Sequence, residues 1–498
     1  MCGCMVSRPP PSAPQEQSAL LNKATVVVML RDGTHTVLSF QNDYFGPAED
    51  FALVVPVPVV LSEDDVTTLD RGLFDRLQAV AAPHMVELYE QNPCPQPRAQ
   101  RGMLMDAMGG GSSGGRGAMA EGAGGAPAPP PVVVEAQFQE GEYDITILGA
   151  NDSSALERWL ADNGYRLPNG AERFLRPYVQ AGMKFFVARV DIGRLRQVAQ
   201  RRQAQLARAR GWMQQGGLGQ LVEGPPVDRA SDPSLGRFLS PLRIHYESEE
   251  FSLPVRLGLL NSIGEQDLVV HILSPQGRYE VANYGNRWVP TNVHVNGRAA
   301  QSFGRFYDAY FAALSGRAPR RVWTEYAGPL TPVADSSMQQ LFGAPGGSGC
   351  VGCGRPGLAQ ADLDALGEAV VHQGASRLAG YTLTRLHYRY GPRGLPNDLV
   401  FRPGRPMAGG IEDATLPRLS RSARSANRNE FRVRFIAQHR WTGPVACAHP
   451  QRNRWGGRPF GLGSYRDAEE TPWPENRPVP LGAWIRDSVP QLGIARGR

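Results

Sequence analysis

The chain has 498 residues, enough for two or three domains that each bury a core. Its 41% apolar content is that of a globular protein, and its 57 glycines and 42 prolines predict long loops. The net charge of +6 comes from arginines scattered along the chain, with lysine only at Lys23 and Lys184. No basic block therefore points to nucleic acid, and no apolar run reaches the length of a membrane helix.

The chain opens Met1-Cys2-Gly3-Cys4, with neither a basic start nor an apolar leader core. A cysteine at position two reads as a mature exported chain whose leader has been replaced by an initiator methionine. Residues 1–22 are expected to form a loose tail. Ala24 to Met29 reads as a strand, and Asp32-Gly33 as the turn into a second strand from His35 to Tyr44.

The stretch Phe51 to Leu61 is apolar on both faces of an extended chain, with Phe51, Leu53, Val55, Val57 and Val59 on one and Ala52, Val54, Pro56 and Pro58 on the other. Both faces should be covered. Pro56 and Pro58 lie two residues apart and remove donors from the same side, which predicts an edge strand. Leu69, Leu73, Leu77 and Val80 then fall at helical spacing, with Thr68 as cap and Pro83 as stop, and a short strand follows over Met85 to Tyr89.

Residues 23–97 are thus a meander with a helix. Residues 98–131, rich in Gly, Ala, Met and Pro, are a low-complexity insertion that cannot bury enough apolar area to order itself. A central region, 132–330, resumes with a strand over Tyr143 to Leu148. A helix follows, with Ser154 and Glu157 at capping-box spacing and a stop at Asn163-Gly164. Next come a strand over Met183 to Val190 and a helix from Asp191 to Arg210 ended by Gly211. Strands are predicted at Leu242 to Tyr246, Phe251 to Leu260, Leu268 to Leu273 and Val322 to Tyr326, with an aromatic helix over Phe303 to Leu314.

The region 331–447 holds a helix over Ala361 to His372 and a strongly alternating strand over Tyr381 to Tyr390. That strand sets Tyr381, Leu383, Arg385, His387 and Arg389 on one face. Pro403 to Asn429 looks loosely structured, a last strand covers Phe431 to Gln438, and 448–498 is a Pro-, Gly- and Arg-rich tail. The fold class is α+β, with mostly antiparallel sheets, covering helices and long Gly/Pro-rich loops.

Motifs that announce chemistry do not occur: there is no His-Glu-x-x-His, no phosphate-binding Gly-Lys-Ser/Thr loop and no Gly-x-Ser-x-Gly elbow. Cys350-Val-Gly-Cys353 is the one local site motif. It reads as a structural disulfide, half a zinc site completed by Cys447 and His449 or by His372, or a redox pair. The redox reading is weakened because the next helix starts only near Asp362. The six cysteines, Cys2, Cys4, Cys94, Cys350, Cys353 and Cys447, allow three disulfides. A bridge from Cys2 or Cys4 to Cys94 would close a loop around the first sheet, typically a stabilisation of ~2–4 kcal/mol. The nine histidines are scattered, and no carboxylate pair can be selected for acid–base work.

The string Phe45 to Pro58 (FGPAEDFALVVPVP), with Leu73 to Leu77 (LFDRL), Ala81-Ala82-Pro83, Tyr143 to Leu148, Trp159 to Tyr165 (WLADNGY), Leu239 to Leu242 and Thr384-Arg385-Leu386, resembles the bacterial domain-of-unknown-function 2330 family. The resemblance runs from about Ala24 to Cys447, apart from the low-complexity insertion. It implies an exported protein with a cysteine-containing mature start, and it brings no catalytic residues. The expectation is a periplasmic or secreted, disulfide-bonded protein that acts as a non-catalytic binding or structural component of the cell envelope. Its partner would be another envelope component or protein, with no cofactor, no nucleic acid and no transmembrane segment. The alternatives are a hydrolase whose site is assembled from distant residues, and a zinc-stabilised or thiol-redox protein using Cys350 and Cys353.

Overall fold

The computed structural model describes residues 4–7, 24–42, 51–94, 132–165, 167, 170–215, 239–261, 264–295, 303–330, 357–372, 378–410 and 421–456. The first third contains β1 (Cys4–Ser7), β2 (Ala24–Asp32), β3 (His35–Asn42), β4 (Phe51–Val57), β5 (Val66–Thr68), α1 (Arg71–Ala81) and β6 (His84–Glu90). Gly33 sits at φ 56°, which glycine adopts without strain, and lets β2 turn straight into β3. Helix α1 is capped by Asp70, whose carboxylate accepts from the Gly72 N–H; Thr68 belongs to β5 instead.

Next come β7 (Val132–Glu140), β8 (Tyr143–Ala150), α2 (Ser153–Asp162), α3 (Glu172–Gln180), β9 (Lys184–Val190) and α4 (Ile192–Gln215). Asp152, not Ser154, caps α2, because its carboxylate reaches the N–H groups of Ser154 and Ala155. Helix α4 passes through Gly211 and runs to Gln215; a lone glycine costs a helix only ~1 kcal/mol.

Then follow β10 (Leu242–Glu247), β11 (Ser252–Leu253), β12 (Gln266–Ser274), β13 (Tyr279–Val281), β14 (Gly285–Trp288), β15 (Val293–Val295), α5 (Phe303–Arg317) and β16 (Arg321–Pro329). The strand expected over 251–260 is cut short, because the chain turns into a 3-10 helix at Arg256–Asn261. The remaining elements are α6 (Gln360–Ala365), α7 (Glu368–Val371), β17 (Thr382–Tyr390), β18 (Leu399–Pro403), β19 (Met407–Gly409), β20 (Arg424–Ser425), β21 (Glu430–Arg432), β22 (Arg434–His439) and β23 (Trp455–Gly456). The single helix expected over 361–372 is two, broken at Gly367 (φ 111°). Part of the stretch read as loose, 403–429, is strand, and the chain forms β23 beyond the strand predicted to be last.

Among the described residues the strands form four sheets, β11-β18-β13 and β15-β22-β6-β23 being the two small ones, and the other two pack face to face under helices, which makes the molecule α+β with mostly antiparallel pairing. The smaller of that packed pair has the order β1-β4-β9-β8-β7, and the larger is built on β20-β19-β21-β16-β17-β12-β2-β3-β10-β5 with β14 paired to β16. One face of β4 (Phe51, Leu53, Val55, Val57) meets Val27, Met29, Ile272 and Leu386 of the large sheet. Its other face (Ala52, Val54) lies under Leu156 and Leu160 of α2 and Leu175 and Tyr178 of α3. The far face of the large sheet (Val28, Leu30, Leu383) is covered by Leu73, Phe74 and Leu77 of α1 and Leu363 of α6. Strands from residues 24–42, 242–247, 266–274, 321–329 and 382–390 share this sheet, so its core joins stretches far apart in the chain.

Every residue of β4 is buried, as its two apolar faces require. It is not an edge strand, however. It pairs with β1 through Phe51 to Val54 and with β9 through Ala52 to Val57. The prolines are tolerated because Pro56 lies beyond the last residue that β1 reaches, and Pro58 lies past the end of the strand. Among the described residues no helix is long and apolar enough to cross a membrane.

Candidate functional site

The alternation read in Thr382–Tyr390 places Arg385, His387 and Arg389 on the face of β17 turned away from the second sheet. Across the antiparallel ladder, β12 sets His271 opposite Arg385 and Asp267 opposite Arg389. On the other flank the register of β16 against β17 shifts between Thr324 and Tyr326, leaving Glu325 as the extra residue of a bulge. The bulge aims Glu325 between two cations. Its carboxylate accepts from the Arg385 guanidinium and from Tyr307 of α5, and lies 2.7 Å from His387 Nδ1. His387 Nε2 lies 3.0 Å from Asp267 Oδ1, and Arg389 grips Asp267 with two bonds of 2.7 Å.

A ring with a carboxylate at each nitrogen must donate from both, so His387 is held as an imidazolium. Burial works against that charge, but Glu325 and Asp267 outweigh it and raise the pKa. Glu325 has no exposed surface; burial would raise its pKa, yet Arg385 and His387 pull it well below the usual carboxylate range. Asp267 is brought to about 2, because the bonds and charges of His387 and Arg389 overcome its burial. Phe311 of α5 stacks on the His387 ring at 3.6 Å and 1°. His271 is pushed well below the ordinary imidazole value by burial and by Arg385, whose Nη1 lies 3.0 Å from its Nε2. Arg385 also donates to Gln78 of α1. With His387 protonated, three cations (Arg385, Arg389, His387) face three anions (Glu325, Asp267, Asp308). The groups are spent on one another, and the network fastens α1 and α5 to the sheet.

Two surface clefts have a different character. The first, of 400 Å³, runs from β13 and β14 to the chain at Arg405–Met407 and Ala423–Ser425. Arg278, Arg287, Arg405 and Arg424 line it with Trp288, whose surface is 41% exposed. Among the described residues that line it the one acid is Glu280, held by Arg278 at 3.1 Å and by Arg402 at 3.0 Å. Gly404 makes room for this arrangement: a Cβ there would stand 2.6 Å from the Arg278 guanidinium carbon. Among the described residues Arg287 and Arg405 form no side-chain ion pair, so these residues give the wall an excess of positive charge. No motif marks this cleft in the sequence, since its walls come from five separated stretches, Thr324 of β16 among them; the exposed Arg287-Trp288 pair is a local trace of it.

The second cleft, of 350 Å³, is lined by His35, His245, Asp65, Glu247, Val59 and Val370. His245 Nε2 lies 3.0 Å from Asp65 Oδ1, and the Ser62 hydroxyl donates to the other oxygen of Asp65 at 2.7 Å. His35 Nδ1 lies 3.3 Å from Glu247.

Of the cysteines, Cys94 and Cys447 form a disulfide that closes a separation of 353 residues. The partner of Cys94 is therefore neither Cys2 nor Cys4, because the strand from His84 and the segment after β22 bring residues 94 and 447 together. Cys447 is consumed by this bond and is no ligand for a metal. Cys4 lies in β1 opposite Val54, while Cys2, Cys350 and Cys353 fall outside the described residues. His372 lies 2.5 Å from Asp32, and His449 is exposed beyond the disulfide. Among the described residues no three His, Cys, Asp or Glu side chains converge as a metal site.

A family model described as an uncharacterized protein conserved in bacteria matches residues 1–204 and 225–402. The chain belongs to the domain-of-unknown-function 2330 family. No curated protein and no solved structure matched it. The match to this family spans β4, the bulge at Glu325 and β17, so the buried network lies within the family domain. Much of the arginine-lined cleft does too, while its 405–407 and 423–425 walls lie beyond residue 402.

Proposed function

We propose that this member of the domain-of-unknown-function 2330 family is an exported binding component of the cell envelope that holds an anion-bearing ligand in the arginine-lined cleft. The observation that carries this reading is the cleft itself, where the described residues set four guanidinium groups around 400 Å³ with a single carboxylate already neutralised from both sides. Guanidinium forks match carboxylate and phosphate oxygens two at a time, and a concave wall of one sign concentrates such ligands. The volume lies in the range of small-molecule sites. Export is supported by the Cys94–Cys447 bond, since disulfides form and persist in oxidising compartments.

Titration calorimetry with inorganic phosphate and with citrate tests the binding. An R287S/R405S double variant is expected to lose about tenfold or more in affinity for an anion that the native protein binds, because charge-assisted hydrogen bonds contribute ~1.5–3 kcal/mol each. Unchanged affinity in that variant would remove the cleft from the reading. Export is checked by fractionating cells and alkylating thiols. A cytoplasmic protein with Cys94 and Cys447 freely alkylated would overturn it.

A hydrolase is the second reading, favoured by His245 resting on Asp65 in a concave site. It ranks lower because His245 Nδ1 is buried and, among the described residues, has no hydrogen-bond partner while Nε2 is occupied by Asp65, so the ring turns no free basic nitrogen toward the cleft.

A further inference from the structure

We propose that the ligand of the arginine-lined cleft is an acidic glycan, a chain of pyranose rings that carry carboxylates. This rests on the reading of the cleft as an anion site and names the class of anion. Three features of the wall separate a glycan from other anions. The first is Trp288, an indole left 41% exposed on a short strand beside Arg287. A bare aromatic surface of this size is a platform for the apolar C–H face of a sugar ring, and guanidinium groups alone do not call for it.

The second feature is Glu280. Its carboxylate is fixed in the wall by Arg278 and Arg402 and keeps acceptor capacity. Sugar hydroxyls donate to such an oxygen, whereas a polyphosphate has no donors to offer it. The third is the mix of charge and shape. The cleft is open to solvent, and Arg287 and Arg405, which come from separate stretches of its wall, each offer a guanidinium to a carboxylate. Rings, hydroxyls and spaced carboxylates together describe a uronic-acid polymer. A polypeptide acid lacks the rings, and a neutral glycan lacks the charge.

The purified full-length chain, disulfide intact, is titrated with polygalacturonate, with neutral dextran and with poly-L-glutamate at low and at physiological salt. Polygalacturonate is expected to bind with salt-dependent affinity and dextran not to bind. Trp288→Ala should weaken polygalacturonate about tenfold while leaving phosphate or citrate binding and the melting temperature unchanged, the scale of one aromatic contact. Trp288→Phe should restore most of the affinity. Equal binding of polyglutamate, or polygalacturonate binding that ignores Trp288, would refute the glycan and leave the anion cleft standing. If polygalacturonate fails while phosphate or citrate binds in an Arg287-dependent way, the glycan alone falls. If no anion binds at all, both readings fall.

Discussion

At Glu325 a carboxylate with no exposed surface meets Arg385, His387 and Tyr307. Removing one partner of such a set leaves an uncompensated buried charge. Glu325→Ala is therefore expected to cost about 3–5 kcal/mol in denaturant unfolding, and a loss below about 1 kcal/mol, the scale of exposed pairs, would contradict the closed network. The same site sets a pH dependence whose sign follows from the direction of each shift. His387 has a folded pKa above its unfolded value, so its contribution is complete below about pH 6.5 and is lost as pH rises through the raised value. Asp267, brought to about 2, contributes above its unfolded value of about 3.9 and loses that contribution as pH falls through the acid range. His294 has the opposite sign to His387: burial and Arg421 hold it to about 3, so its neutral form favours folding above about pH 6.5 and costs stability below. The difference in melting temperature between the native protein and His387→Asn should shrink from pH 6 to pH 9, while the difference for His294→Asn should grow over the same interval. A constant difference for His387 across that range would show that the ring is not held as an imidazolium. The alternation of residues 381–390 alone places Arg385, His387 and Arg389 on one face of a strand. Glu325 is not legible in this way, because the residue that aims it is a bulge, and a bulge depends on register against a partner strand rather than on the local sequence.

The elements themselves follow local rules where those rules are strong, and yield to packing where they are weak. Apolar alternation on both sides of β4 demanded two covering layers, and both are present. The proline pair argued for an edge, but β1 covers only the half of β4 that precedes Pro56. The caps shifted for a similar reason: Ser154 and Asp152 both suit an N-cap, and only the path of the chain out of β8 decides that Asp152 reaches the free N–H groups. Asp152→Ala is expected to lower the melting temperature, whereas Ser154→Ala should move it by less; the reverse order would favour the capping box read from Ser154 and Glu157. Gly367 shows the opposite limit, a φ of 111° that splits one helical pattern into two short helices and that no periodicity reveals.

At the scale of the whole molecule, the large sheet gathers strands from both ends of the chain, and the Cys94–Cys447 bond ties the strand that ends at Glu90 to the segment after His439. Cross-linking so long a loop restricts the unfolded chain. Cys94→Ser should therefore lower unfolding free energy by about 2–4 kcal/mol, with the native protein moving by a similar amount on reduction. Insensitivity to reductant would place the stability elsewhere. The sequence by itself determined the α+β class, the buried character of β4, the position of most strands and helices, and the family, because periodicity, turn residues and a specific local string are properties of neighbouring residues. Only the tertiary structure decided which cysteine Cys94 joins, that β4 is flanked on both sides, how Glu325 enters the charge network and where four arginines and Trp288 meet. Each of these depends on which distant segments the sheets bring side by side, and burial of apolar faces chooses that pairing through the sum of many weak contacts rather than through any one motif.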